Sequence, residues 1–404
     1  MLQKYNINYQ KYISYILIAY AFSFPISKAA TNLFEILALL LWIFEGNWKE
    51  KFQLYTHNLL SITVLGLIGY SLLSILWHGD AQATLNYIMK YRHLLLIFVF
   101  YSSFDTRYAH LIISAFLSAM FISELFSYGI FFELIHYKDI SPSDPTPFMS
   151  HMTYSTLLAF TSTLLLIEFF HTDTIKSKLL YGVFFLSVIT NLFMNGGRSG
   201  QMIFIVLLFF LLLRHIQNKF KAIIIIVALL STIFGGAYLL SPNFHTRILE
   251  LKNDISMMHS DGNYTSSAGA RIALNVIAFE TFKEHPLLGT GIAKEMQHAT
   301  LYADQLHLHL DGIEFFADAH NTFATISTQL GIGGLILSLL IIYTLFSFKL
   351  QNPYHKDMAL MFALSFVIFS CTHNTLHTMN PMVFFALFGG FFNVLSRFKT
   401  KEHL

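Results

Sequence analysis

About twelve apolar runs, most of them long enough to cross a bilayer, succeed one another along this chain and leave it few ways to fold. A transmembrane helix needs roughly 20 mostly apolar residues. Such runs lie near 13-30, 31-46, 58-78, 86-104, 110-133, 152-170, 179-195, 200-217, 222-240, 320-348, 356-373 and 379-395, the second and seventh being short. Hydrocarbon offers no water to backbone N–H and C=O groups, so each span is expected to be a helix, and the alternating pattern of a membrane barrel is missing. The expected fold class is an all-α polytopic membrane protein. Only 12% of the residues are charged and 55% are hydrophobic, whereas a soluble domain carries about twice that charged fraction. The first run follows MLQKYNINYQKY and is expected to act as a retained anchor.

Lysine and arginine positions set the expected orientation, because cytoplasmic loops collect them. With the N-terminus inside, the cytoplasmic side holds Lys4, Lys11, Lys49, Lys51, Arg107, Lys176, Lys178, Arg214, Lys219, Lys221, Lys349, Lys356, Arg397, Lys399 and Lys401, which is 15 of 25. Five more (Arg247, Lys252, Arg271, Lys283, Lys294) sit in one long segment, 241-319, and long segments escape the rule. The remaining five are Lys28, Lys90, Arg92, Lys138 and Arg198, so the usable ratio is 15 to 5. Twelve spans with both termini cytoplasmic satisfy it. Residues 1-404 then form a single membrane domain, with 241-319 as one large extracytoplasmic loop. The net charge of +2 is strung between apolar runs without a patch, so no nucleic-acid partner is expected. Cys371, the one cysteine, permits no intrachain disulfide.

Chemistry concentrates on the outer side. Asn195-Gly196-Gly197-Arg198-Ser199-Gly200 lies at the outer mouth between two spans, where glycines let a backbone approach a ligand and an arginine can grip phosphate through two bonds. The same residues also read as a plain turn with an arginine reaching for lipid headgroups. Ser266-Ser267-Ala268-Gly269-Ala270-Arg271 opens a helix with apolar residues at 272, 276, 279 and 282 and Pro286 beyond its end. Arg271 would fall in the first turn, where free N–H groups favour an anion, or else on a solvated face. The apolar face suggests a helix lying along the membrane plane. Asp318-Ala319-His320-Asn321-Thr322 offers a histidine able to accept a proton near neutral pH, although a lone interfacial histidine is often without function. His307, His309 and Asp311, with Asp318 and His320 behind them, can share a face only on an extended segment; without a CxxC or HExxH pattern the expectation is no metal. Short cytoplasmic loops without GxxxxGK[ST] argue against an ATP-driven pump.

Together these features resemble the O-antigen ligase and O-antigen polymerase family of bacterial inner-membrane glycosyltransferases, most of all the ligases. The resemblance spans the layout of nearly the whole chain. It is carried by Arg198 before an outer span, by Arg271 in GARIALNVIAFETFKEHPLLGTGI, and by His320 in AHNTFATISTQLGIGG. Family members often carry Ser or Thr where this chain has Asn195. The resemblance implies a GT-C-like architecture, a periplasmic active site and catalytic roles for His320, Arg198 and Arg271. Lys90, Arg92, Arg247 and Asn321 become candidate contacts to the diphosphate or the acceptor. It implies an undecaprenyl-diphosphate-linked glycan donor, a lipid A-core acceptor, membrane lipids as surroundings, and no cofactor or metal. Another glycan repeat, or a Ser or Thr of a protein, are rival acceptors within the family. A twelve-span transporter or lipid flippase is the rival from another class, disfavoured because no repeated halves or midplane charges are evident. Glycan identity and oligomeric state stay open.

Overall fold

The computed structural model describes residues 8–397 apart from 79, 262, 293, 295, 298, 311–312, 314–315 and 317; Lys4, Asp311, Lys399 and Lys401 thus lie outside the described residues. Helices follow one another without a strand among the described residues; a single bridge joins Asn263 and His309. The first part holds α1 (Tyr9–Ser23), α2 (Lys28–Glu45), α3 (Trp48–Thr56), α4 (Leu59–Leu73), α5 (Ile75–His78) and α6 (Ala81–Ile88). A tighter 3-10 turn, Met89–Leu95, leads to α7 (Leu96–Ser103), and α8 (Ala109–Phe131), α9 (His151–His171), α10 (Ile175–Met194), α11 (Arg198–His215) and α12 (Lys219–Leu240) follow. The long connection folds as α13 (Pro242–Asp261), α14 (Ser267–Glu284) and α15 (Ala299–Gln305), before α16 (Thr322–Phe346), α17 (Pro353–Thr372) and α18 (Met379–Arg397). Side-chain oxygens cap many starts, as Asn58 does for α4, Ser150 for α9, Thr174 for α10 and Asn352 for α17.

Among the described residues nine helical segments are long and apolar enough to cross a membrane, and they coincide with nine of the twelve expected runs. The other three differ for local reasons. The first, α1, has only 15 residues. The second, α2, carries Lys28, Glu35 and Glu45 and bends by 112° into α3. Run 86-104 is interrupted by the 3-10 turn. Outer faces carry apolar ladders at three- and four-residue spacing, such as Leu179, Val183 and Leu186 on α10, which a water-soluble bundle would bury. Most of α9 and α18 is buried at the centre, whereas α12 is almost wholly uncovered. Phe160 of α9 anchors that centre, its ring 4.8 Å from Phe388 and 5.3 Å from Phe384.

Gly197 and Gly200 act between helices. A Cβ on Gly200 would stand 2.3 Å from the Ser155 backbone, so the two glycines allow α11 to lie directly on α9. The close approach expected toward a ligand is made toward a helix. A second close contact breaks a span: α16 is non-helical at Gly331, with φ of 61°. The carbonyls released there are taken up by the loop after α14, where Thr290 N donates to Thr328 O at 2.7 Å and Gly291 N to Gln329 O at 3.0 Å. Ile332 N in turn donates to Pro286 O at 2.8 Å. The PLLGTG segment therefore repairs the broken helix and fixes α14 against α16.

Gly331→Ala would place a methyl 2.3 Å from Leu287 O at a left-handed φ. It is expected to cost at least about 2 kcal/mol and to lower the melting temperature of the purified protein in detergent. Gly235→Ala on α12, where a Cβ meets nothing within 4 Å, should leave the melting temperature unchanged or raise it. Equal behaviour of the two would remove the Gly331 contact from the account.

Candidate functional site

Three guanidinium groups meet at one end of the bundle. Arg198 is the first residue of α11, following a turn that Asn195 builds by accepting from Gly197 N at 3.0 Å. Arg247 comes from α13, and Gly196 leaves room for it: a Cβ there would stand 3.1 Å from its Nη2. Arg271 comes from α14, whose start Ser266 caps by accepting from Gly269 N at 3.1 Å. It falls just past the first turn. Helical side chains lean toward the N-terminus, which brings Nη1 to 3.5 Å from Ser267 Oγ and Nη2 to 3.2 Å from Met152 Sδ. All three arginines line one polar cavity of about 110 Å³, together with His151, Met152 and Ser199.

The charges in this cavity do not cancel. Glu250 of α13 accepts from Arg198 at 2.9 Å and from Arg247 at 2.8 Å, and Asp254 stands 3.5 Å from Arg198. Hydrogen bonding from Arg247, and then from Arg198, holds Glu250 below the usual carboxylate range. Three cations thus face two carboxylates. Arg271 is the one left over: it touches neither acid, its Nε is buried without a partner, and burial followed by the Arg198 charge makes its positive charge costlier to hold. An anion in the cavity would relieve both.

Arg271 also borders a second, larger cleft of about 550 Å³ whose other walls are Ile272, Val276 and Phe279 of α14, Asn275, Asn321, and Cys371 and Thr372 of α17. The exposed apolar stripe of α14 faces this cleft. Asn321 stands where α14 meets α16. Its Oδ1 caps α16 by accepting from Phe323 N at 3.0 Å, and its Nδ2 donates to Asn275 Oδ1 at 2.8 Å.

His320 precedes that cap in a left-handed conformation, φ 49°, an uncommon state for a residue with a Cβ. Asp318 holds it there, accepting from His320 N at 2.8 Å, with Oδ1 also 3.6 Å from Nδ1. A carboxylate beside Nδ1 favours the proton on that nitrogen and leaves Nε2 as a base. Burial pushes the imidazole below the ordinary histidine value; Asp318 opposes this and the Arg271 charge adds to it. Asp318 Oδ2 accepts from Asn374 at 3.2 Å, so the connection between α17 and α18 reaches the same place.

The structure brings Arg198, Arg247, Arg271, His320 and Asn321 to this end of the bundle. Arg92 is elsewhere, spent on Glu35 at 3.3 Å and Asn32 at 2.9 Å of α2. Lys90, two residues earlier, is felt at His377. Sequence reasoning missed Glu250 and Asp254, whose i, i+4 spacing on a helix was the available signal, and the histidines of the 373–377 connection. The second H-N-T tripeptide, His373-Asn374-Thr375, repeats His320-Asn321-Thr322, and the two clasp through Thr375 N donating to Thr322 Oγ1 at 2.8 Å. Among the described residues no three His, Cys, Asp or Glu side chains are grouped to hold a metal ion.

Residues 182–339 match the family model described as O-antigen ligase, a stretch that runs from α10 into α16 and contains Arg198, Arg247, Arg271 and His320. A comparison with curated proteins found no match.

If Glu250 competes with an incoming anion for Arg198, Glu250→Gln should tighten binding of inorganic diphosphate to the purified protein. The expected gain is roughly two- to fivefold, the worth of one partly exposed ion pair, measurable by calorimetry. Weaker binding would mean that Glu250 orients Arg198 for its ligand.

Proposed function

We propose that this member of the O-antigen ligase family is an inverting glycosyltransferase that moves a glycan from an undecaprenyl-diphosphate carrier to the lipid A-core oligosaccharide. The family supports glycan transfer in general terms. One observation carries the finer reading: Arg271, half-buried and without a carboxylate, shares a cavity with Arg198 and Arg247 while its charge reaches the imidazole of His320. A diphosphate presents adjacent negative charges that the three guanidiniums can bind through paired hydrogen bonds. His320 Nε2 takes the proton of an acceptor hydroxyl, and that oxygen attacks the anomeric carbon. The bond from this carbon to the carrier phosphate breaks, its electron pair leaves with the diphosphate, and the arginines stabilise the charge that grows there. Attack opposite the leaving group inverts the centre. The 15 to 5 distribution of basic residues supports a periplasmic site with both termini cytoplasmic.

A strain deleted for the gene should display, on a lipopolysaccharide gel, complete core without polymer, while polymer accumulates on its lipid carrier. Core bearing a single repeat would instead identify a polymerase. Unchanged lipopolysaccharide would remove both readings.

His320→Gln keeps a hydrogen bond but no useful base, and is expected to lower turnover by about 10²–10⁴-fold with donor binding nearly intact. Arg271→Lys should weaken donor binding, since an ammonium cannot make the planar fork. The pH dependence has a definite sign. Burial lowers the folded value of His320, so the neutral base persists below the ordinary histidine range, and so does turnover. By linkage its contribution to stability is present above the unfolded value and is lost as pH falls toward the folded one. An acid limb of the rate profile above the ordinary histidine value would take the base role from His320.

A further inference from the structure

The connection between α17 and α18 holds a set of polar atoms that the transfer chemistry leaves unused. His373 is 8% exposed, and neither ring nitrogen has a partner. Asn374 is 1% exposed; its Nδ2 serves Asp318, and its Oδ1 is buried without a partner. His377 Nε2 is likewise buried and unpaired. Buried polar atoms are costly unless something completes their hydrogen bonds, yet here four lie within five residues.

Their position and form point to a ligand. The His373 ring runs parallel to that of His320, 9° apart with centroids at 6.3 Å, and stacks on Phe369 at 5.4 Å. His377 stacks on Tyr87 at 3.6 Å. The two residues before His373, Cys371 and Thr372, line the larger cleft beside Arg271. We infer that His373, Asn374 and His377 form a carbohydrate subsite beside His320, which binds the hydroxyl groups of a glycan through hydrogen bonds. The inference rests on the glycan-transfer reading above. A neutral imidazole offers one donor and one acceptor, and an amide oxygen accepts, which is the pattern a row of sugar hydroxyls completes. Burial brings both histidines down to about 4, so they stay uncharged at neutral pH; Asp318 opposes this at both, while His320 and Arg271 add to it at His373 and Lys90 at His377. Uncharged groups suit a sugar and not a diphosphate, whose matching guanidiniums come from α11, α13 and α14. The matched stretch, 182–339, ends before this connection.

The test uses purified full-length protein with lipid-linked donor and core-oligosaccharide acceptor. His373→Phe keeps the ring and the stack on Phe369 but removes both nitrogens, and His377→Phe does the same beside Tyr87. Each is expected to raise the KM of one glycan substrate by roughly three- to tenfold, the loss of one or two neutral hydrogen bonds. A rise for the acceptor assigns the subsite to the acceptor glycan, and a rise for the donor assigns it to the donor glycan. His373→Gln, which restores a donor and an acceptor, should recover part of the loss. Binding of undecaprenyl diphosphate without sugar should be unchanged in all three variants. Unchanged KM for both substrates, or an equal fall in binding of the bare carrier, would overturn the subsite. Failure of the transfer reading itself would look different: wild-type protein would release no carrier diphosphate from the charged donor. Glycan binding is then read directly by titrating free oligosaccharide, where equal affinity of wild-type and His373→Phe protein would also overturn the subsite.

Discussion

In hydrocarbon a backbone carbonyl that leaves its helix must be met by another part of the protein, and the arrangement of the site follows from one such repair. Gly331 breaks α16, and the carbonyls of Thr328 and Gln329 are met by the N–H groups of Thr290 and Gly291. These donors belong to the turn after α14, so the repair pins the end of that helix to the span. At its middle α14 is pinned again, where Asn275 Nδ2 donates to Ala319 O and Asn321 donates to Asn275 Oδ1. Arg271 lies between Ser267 and Asn275. Its distance from His320 is therefore set by the amide contacts of Asn275, one turn further along the helix, and by the backbone hydrogen bonds beyond the helix's far end.

The electrostatics have a comparable economy. Removing either carboxylate of α13 would leave the three guanidiniums to repel one another, while adding a third acid would neutralise the cavity. With Glu250 shared by two arginines and Asp254 on one of them, the residual positive charge falls on Arg271, the member closest in effect to the imidazoles. Arginine keeps that charge even where burial opposes it, and the same burial keeps His320 neutral. On the proposed mechanism one degree of desolvation thus serves opposite needs: a permanent cation for an anion, and an uncharged base next to it.

Helical class, the positions of nine candidate spans, and the three polar motifs of Arg198, Arg271 and His320 that the structure brings to one end of the bundle were legible in the sequence. The apolar runs are long, and these three residues stand in compact polar motifs at their edges. The interruptions were not legible. Residues 86-104 are as apolar as a span, and nothing in their composition announces the 3-10 turn that throws Arg92 toward Glu35 of α2. Gly331 sits in LGIGG, which reads equally as a glycine-rich helix; only the partner turn at 286–291, forty residues away, makes the break affordable. His373 and His377 stayed hidden in a short polar interval between two apolar runs, where the usual expectation is a turn. The repeated H-N-T was the available signal, and its sense is tertiary: the two tripeptides meet through Thr322 and Thr375.

The two H-N-T segments also explain why a strained residue can persist at this position. A left-handed conformation at His320 costs of order 1 kcal/mol or more unless its surroundings hold it. Asp318 accepts from the His320 backbone N–H and is itself held by Asn374, while Thr322 donates to His373 O or Thr375 Oγ1. The contacts of Asn374 and of Thr322 join the start of α16 to the end of α17. The imidazole is thus oriented by the packing of two spans, so its direction is fixed before any ligand arrives. On the proposed mechanism that matters more than proximity alone, because a base that must first be turned toward a hydroxyl loses rate at each turnover. The same clasp sets His373 parallel to His320, so the base and the proposed glycan subsite share one foundation and move, if at all, as a unit.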